Sequence, residues 1–317
     1  MERIETKDIF KHMNQEIETF LLLKKKELRE GKSDMYLRLE FTDKSGPVNG
    51  NVWNNAQLAM DGYEVGDVVK IRAMVQSYKD QIQLNVKKIR KAGRDEFELK
   101  DYIPETKKDV KKLSDEVFEF IHSVKDESIK NLLLKIFDDK ELLAKFLRCP
   151  AAKGWHHNFV GGLLEHTVSV TKICDFASSL YPVNRDELIA GALLHDFGKI
   201  YEYMIVPSVE FTDEGRLLGH IVMADQLIVK KASEVDLFTA QTLLKLRHLI
   251  ISHHGEMEKG AVKVPMTIEA IVLHFADNMD AQTTGVLQMI DAANDPKARW
   301  TELDKLNNRY IYIGNRN

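Results

Sequence analysis

Six polar residues set on otherwise apolar helical faces constrain this chain most. His166 follows the apolar turn of Gly161-Gly162-Leu163-Leu164-Glu165-His166-Thr167, and His195-Asp196 end the apolar run Ala192-Leu193-Leu194 just before Phe197-Gly198-Lys199. His220 shares a helical face with Ala224 and Leu227, His253 continues the Leu246, Leu249 and Ile250 face, and Asp277 follows Leu273 by one turn. Four imidazoles and two carboxylates pointing inward from different helices are costly to bury unless they bind something. The segments that carry them are therefore expected to converge.

An imidazole and a carboxylate side by side form a chelating pair. A single buried His-Asp pair is more often a hydrogen-bonded core feature, but here three further histidines and an aspartate accompany it. Mixed nitrogen and oxygen donors suit Mn²⁺ or Fe²⁺ and also permit Co²⁺, Zn²⁺ or Ni²⁺. The helix leading to His195 is expected to start at Asn184, with Glu187 as its capping partner. Lys199, at a helix end, is placed either to meet phosphate oxygens or to satisfy the helix dipole. His254 falls off the His253 face and is read as backing the site or touching substrate, with a surface histidine as the plain alternative. His156 and His157 border the same region, and His274 lies one turn before Asp277, where it could orient a ligand.

Ahead of these helices the pattern is one of strands. Five are expected at Phe20–Glu27, Met35–Thr42, Val48–Trp53, Val68–Gln76 and Gln81–Lys91, with one helical interruption around Asn55–Gly62. That order suggests a small OB-type barrel. The stretch Tyr63-Glu64-Val65-Gly66-Asp67-Val68-Val69-Lys70-Ile71 resembles the entry to the fourth strand of nucleic-acid-binding OB domains. Net charge is −4, yet residues 20–94 hold 15 Lys+Arg against 9 Asp+Glu. Tyr36, Trp53 and Tyr78 could stack bases, and Lys70, Arg72, Lys79, Lys87 and Lys88 could meet phosphates. For each aromatic, burial in the barrel core is the competing reading.

The expected organisation is a multidomain α and β chain: a polar N-terminal helix or arm over 1–18, a five-stranded OB barrel over 19–94, and a linker over 95–110. An all-α bundle follows over 111–300 and a C-terminal tail over 301–317, with Tyr310–Ile313 as the one further strand candidate. Helices are expected at Lys111–Val124, Ser128–Phe137 and Asp139–Leu147. The N-terminus lacks an export pattern and no stretch is apolar enough to span a bilayer, so a cytoplasmic protein without a membrane partner is expected. Cys149 and Cys174 fit that setting as reduced thiols and carry no assigned role.

The ordered pattern His166, His195-Asp196, His220, His253-His254, Asp277 resembles the HD superfamily of metal-dependent phosphohydrolases, in its members that hold two ions. The resemblance implies that His166, His195, Asp196 and Asp277 hold one divalent ion, and that Asp196, His220 and His253 hold the second. Asp196 would bridge, and Asp196 and Lys199 would serve catalysis. Two ions about 3.5–4 Å apart suit water activation and in-line attack on a phosphodiester. The segments Gly154–Thr167, Ile251–Glu256 and His274–Asp280 are further similar to YhaM-type 3′-to-5′ exoribonucleases, which join an OB domain to an HD domain. This implies Mn²⁺-dependent removal of nucleotides from the 3′ end of single-stranded RNA, with single-stranded DNA as a second substrate and a homo-oligomer as one assembly. Two alternatives stay open: an HD phosphodiesterase acting on cyclic dinucleotides or nucleotides, and a non-catalytic single-strand-binding module.

Overall fold

Alternating apolar residues build five long strands, β1 (Glu16–Glu30), β2 (Met35–Asp43), β3 (Gly46–Val52), β4 (Val68–Tyr78) and β5 (Gln81–Lys91), in a computed structural model of the chain. The structure describes residues 3–31, 34–78, 81–153, 157–293, 298–304 and 306–314. It divides into two compact units, Met1–Glu105 with Ile205–Glu210 and Thr106–Met204 with Phe211–Asn317.

In the first unit the strands close into a barrel in the order β1-β2-β3-β5-β4, antiparallel except for β3 with β5. β1 makes closure possible by serving two partners. Its first half, Glu16–Leu22, pairs with β4, and its second half, Leu22–Glu30, pairs with β2. The register slips between Leu23 and Lys25, a bulge that bends the strand from one partner to the other. Inward residues such as Leu21, Leu37, Leu39, Phe41, Ile71 and Leu84 are fully buried in its core. A 3₁₀ turn at Thr6–His12 seals one end by inserting Ile9, and β1 begins at Glu16, inside the segment expected to be an arm.

The second unit has nine α-helices among the described residues: α1 (Val110–Ser123), α2 (Glu127–Phe137), α3 (Lys140–Arg148), α4 (Gly162–Ser178), α5 (Arg185–Leu194), α6 (Lys199–Glu202), α7 (Asp213–Ala232), α8 (Ala240–Ser252) and α9 (Ile268–Ala292). Asp109, Asp126, Asp139, Asn184, Thr212, Thr239 and Thr267 cap seven of them by accepting backbone N–H bonds. At α5 the expected capping box is not closed by Glu187, whose carboxylate takes Lys245 Nζ at 2.9 Å. Glu269 of α9 instead accepts the Asn184 N–H at 2.8 Å, so a tertiary partner replaces the local one.

The helical region is built of helices as expected, apart from one short hairpin. Tyr203–Val206 (β6) and Ser208–Phe211 (β7) form a two-stranded hairpin, a pairing of four-residue strands too short to leave a period in the sequence. The expected strand at Tyr310–Ile313 is present only as isolated bridges, Trp300 to Tyr312 and Asp304 to Arg309. No helix among the described residues is long and apolar enough to cross a membrane.

Candidate functional site

The carbonyls of a helix's last turn have no partner within the helix. His195 and His253 exploit this, each sitting just past the end of its helix, α5 and α8. His195 Nδ1 bonds the Ala192 carbonyl at 2.8 Å and His253 Nδ1 bonds the Ile250 carbonyl at 2.7 Å. Each Nδ1 must donate, so each Nε2 presents a lone pair to the interior. Nδ1 is engaged by other acceptors elsewhere. His254 Nδ1 bonds the Lys259 carbonyl at 2.9 Å, His220 Nδ1 meets Glu202 Oε1 at 3.1 Å, and His166 Nδ1 meets Asp280 Oδ2 at 2.7 Å.

Around these nitrogens Asp196 occupies the centre, with its two oxygens facing different neighbours. On the Oδ2 side His166 Nε2 is 3.4 Å away and His195 Nε2 3.5 Å away, while His166 Nε2 lies 3.2 Å from both His195 Nε2 and Asp277 Oδ1. On the Oδ1 side His220 Nε2 is at 3.4 Å and His253 Nε2 at 3.6 Å. His254 joins this second group, its ring 4.4 Å from that of His253 and 5.2 Å from that of His220. His254 also lines the cleft with Asp196 and Lys199, a place open to the substrate contact expected of it. α8 ends at Ser252, so helical phase no longer governs residues 253 and 254.

Three buried atoms of the second group, Asp196 Oδ1, His220 Nε2 and His253 Nε2, have no hydrogen-bond partner among the described residues. Buried acceptors left unpaired are costly, and lone pairs converging on one point fit a divalent cation. The residues present therefore suit the ions that the sequence pattern implies.

Electrostatics divide the histidines. Burial pushes His195 down to about 4, and burial with the neighbouring His253 and His220 pushes His254 down to about 3. For His166 burial acts in the same sense, but the carboxylates of Asp196, Asp277 and Asp280 outweigh it and hold the imidazole well above its ordinary value. Burial would raise Asp196, yet Lys199 and the surrounding histidines hold it well below the carboxylate range. Lys199 is itself buried, its ammonium 2.5 Å from Asp196 Oδ2.

Two glycines set the backbone beneath the site. A Cβ on Gly198 would stand 2.0 Å from the His220 carbonyl oxygen, so only glycine lets the turn after Asp196 touch α7. Gly219, at φ 74°, kinks α7 immediately before His220 and turns that residue toward Asp196.

Of the accompanying histidines, His157 Nε2 is 3.1 Å from Asp280 Oδ2, the carboxylate that also receives His166. His274 Nδ1 bonds the His253 carbonyl at 2.8 Å and lines the cleft above the site. His156 lies outside the described residues, as do Gly154 and Trp155. Asp280 and Glu202 carry no role in the sequence reading, although each lies three residues beyond a site residue, Asp277 and Lys199, on the same helix. That spacing is the signal that could have found them. Cys149 and Cys174 are buried, and burial pushes both thiols up, which leaves them inert.

The residues expected to meet nucleic acid separate into two concavities of the barrel. Tyr36 and Trp53 stack at 4.7 Å and share a groove of about 430 Å³ with Tyr78, Arg38, Asn51 and Gln83. Trp53 and Tyr78 are 49% and 62% exposed, so they are not barrel core. Lys70, Arg72, Lys87 and Lys88 line a different cleft of about 570 Å³. There Lys70 stands opposite Arg90 and Arg72 opposite Lys88 on paired strands, like charges that disfavour each other. Glu18 offsets part of this by holding Lys70 Nζ at 2.6 Å and Arg72 Nη2 at 3.1 Å, and Glu16 holds Lys87 Nζ at 2.8 Å. Lys79 lies outside the described residues.

Comparison with known families and structures bears on both units. Residues 163–282 match the HD domain model, and residues 23–92 match that of the OB-fold nucleic acid binding domain. Among solved structures, the p204 HINb domain is 14% identical over 29% of this chain and 47% of that one, with a TM-score of 0.25. The match thus spans about half the length of that structure. The second OB-fold domain of replication protein A from Methanococcus maripaludis is 17% identical over 26% of this chain and 87% of its own, with a TM-score of 0.21. With the two family models placed on the barrel and on the helices that carry the His/Asp cluster, the chain joins an OB-fold nucleic acid binding domain to an HD domain of the metal-dependent phosphohydrolase superfamily.

Proposed function

We propose that this protein is a metal-dependent 3′-to-5′ exoribonuclease that hydrolyses the terminal phosphodiester of single-stranded RNA, and of single-stranded DNA as a second substrate. The observation that carries the hydrolytic part is Asp196, whose two carboxylate oxygens face two separate clusters of histidine nitrogens. In this reading His166, His195, Asp196 and Asp277 hold one divalent ion, and Asp196, His220, His253 and His254 hold the other, with Mn²⁺ as the principal ion. Such ions supply Lewis-acid polarisation of the phosphate and ionise water near neutral pH.

The remaining work falls to side chains. Asp280 and Glu202 orient His166 and His220 by accepting from Nδ1, which turns each Nε2 toward Asp196. Lys199 brings a buried ammonium to the edge of the cleft, where it can balance the non-bridging phosphate oxygens. The aromatic groove of the barrel stacks bases, and 3′ polarity and the preference for RNA follow the sequence resemblance.

The test uses single-stranded RNA labelled at its 3′ or 5′ end, incubated with purified protein and Mn²⁺ or chelator. Mononucleotides should leave from the 3′ end only with the ion present, and Asp196→Ala should abolish hydrolysis while single-strand binding persists. Cleavage confined to a cyclic dinucleotide or nucleotide, or equal activity of Asp196→Ala, would overturn the proposal.

A further inference from the structure

Near the end of the second unit, residues 298–304 and 306–314 pack on one another. Trp300 and Tyr312 pack with ring centroids 5.0 Å apart, Thr301 N–H bonds the Ile311 carbonyl at 2.9 Å, and Asp304 and Arg309 exchange backbone hydrogen bonds of 2.8 and 3.2 Å. The tip is organised around Asp304, which is 1% exposed. That carboxylate accepts from the backbone N–H groups of Leu306 and Asn307, from Asn307 Nδ2 at 2.8 Å and from Arg309 Nε at 3.2 Å. Arg309 in turn donates through Nη2 to Gln282 Oε1 of α9 at 2.9 Å, tying the loop to the helix that carries Asp277.

The tip reaches the site. Leu306 and Asn307 line the same cleft, of about 510 Å³, as Asp196, Lys199 and Asp277. A cleft of that size has room for one nucleotide. Leu306 is 69% exposed and joins Ala281 as an apolar residue among charged and polar lining residues.

We propose that this C-terminal hairpin is the wall that ends the catalytic cleft, with Leu306 packing against the terminal nucleoside and Asp304 acting as the positioning residue of the tip. The wall admits a chain end and leaves no path for an internal stretch of strand. It also sets the product, by stopping the strand one nucleotide beyond the scissile bond. Water adds to phosphorus, the bond from phosphorus to the penultimate 3′-oxygen breaks, that oxygen takes up a proton, and a nucleoside 5′-monophosphate leaves. The inference rests on the phosphodiesterase reading above and adds the origin of end selectivity.

The test compares linear and covalently circular single-stranded RNA of one sequence, with wild type, Asp304→Ala, Arg309→Ala and Leu306→Ala in Mn²⁺. Wild type should consume the linear strand and spare the circle, while Asp304→Ala and Arg309→Ala, by releasing the tip, should open the circle. Leu306→Ala, a change at an exposed side chain, should raise KM for the linear strand about fivefold, more than it changes kcat. A wild-type protein that cuts the circle overturns the wall yet leaves the phosphodiesterase reading intact, whereas hydrolysis of neither RNA sinks that reading. Circles spared by both tip variants, or an unchanged KM in Leu306→Ala, also overturn the inference.

Discussion

His166 is the residue whose charge state decides how the site takes up metal. Burial would favour its neutral form, but Asp196, Asp277 and Asp280 hold its proton well above the ordinary histidine range. At neutral pH the free imidazole is therefore charged, and an ion that coordinates its Nε2 must displace a proton. His195 and His254, held down to about 4 and about 3, are already neutral and release none. Metal affinity should accordingly rise with pH by about tenfold per unit below the raised His166 value, with about one proton released per site filled. Calorimetric titration with Mn²⁺ in two buffers of different ionisation enthalpy counts the protons released; a count unchanged in His166→Ala would show that His166 is not their source. His166 itself was legible from its place on an apolar helix. The carboxylate behind it, Asp280, shows in the sequence only through its three-residue spacing from Asp277; that it receives His166 Nδ1, 114 residues away, needed the fold.

At the scale of elements, the turn that carries Asp196 is held from both sides. Phe197, 1% exposed, packs its ring against Phe137 and Phe146 at 5.2 and 5.3 Å, anchoring the end of α5 to α2 and α3. On the opposite side Gly198 lies against the His220 backbone. Phe197→Ala should cost about 3–5 kcal/mol of stability, as other buried Phe truncations do, measured by denaturant unfolding. Gly198→Ala should act differently. With a Cβ in place, the turn and α7 must separate, so the loss should appear first in the second ion's affinity, since His220 recedes from Asp196. A Gly198→Ala protein that binds two ions as tightly as wild type would remove this account. The His-Asp-Phe-Gly run was visible in the sequence as a helix end, but the α7 kink at Gly219 that aims His220 was not, because a glycine inside a helical period carries no direction.

For the whole molecule, the two concavities of the barrel predict separable contributions to single-strand binding. Trp53→Ala should weaken binding by about 1–3 kcal/mol, the usual worth of base stacking, without altering its salt dependence. Removing Lys88 and Arg72 should lower the slope of log affinity against log salt by about 0.7 for each phosphate that is no longer neutralised. Equilibrium binding of single-stranded RNA from low to moderate salt separates them; equal salt slopes in all variants would exclude the cationic cleft from the path of the strand. The sequence by itself determined the five strands, the helical character of the bundle and the six-residue His/Asp pattern, because hydrophobic periodicity acts within a few residues of the chain. Only the tertiary structure decided that Asp196 divides its two oxygens between clusters, that His254 joins one of them, and that the aromatics and lysines lie apart. Those outcomes depend on where helix ends, bulges and distant partners meet in space, which short-range sequence patterns do not encode.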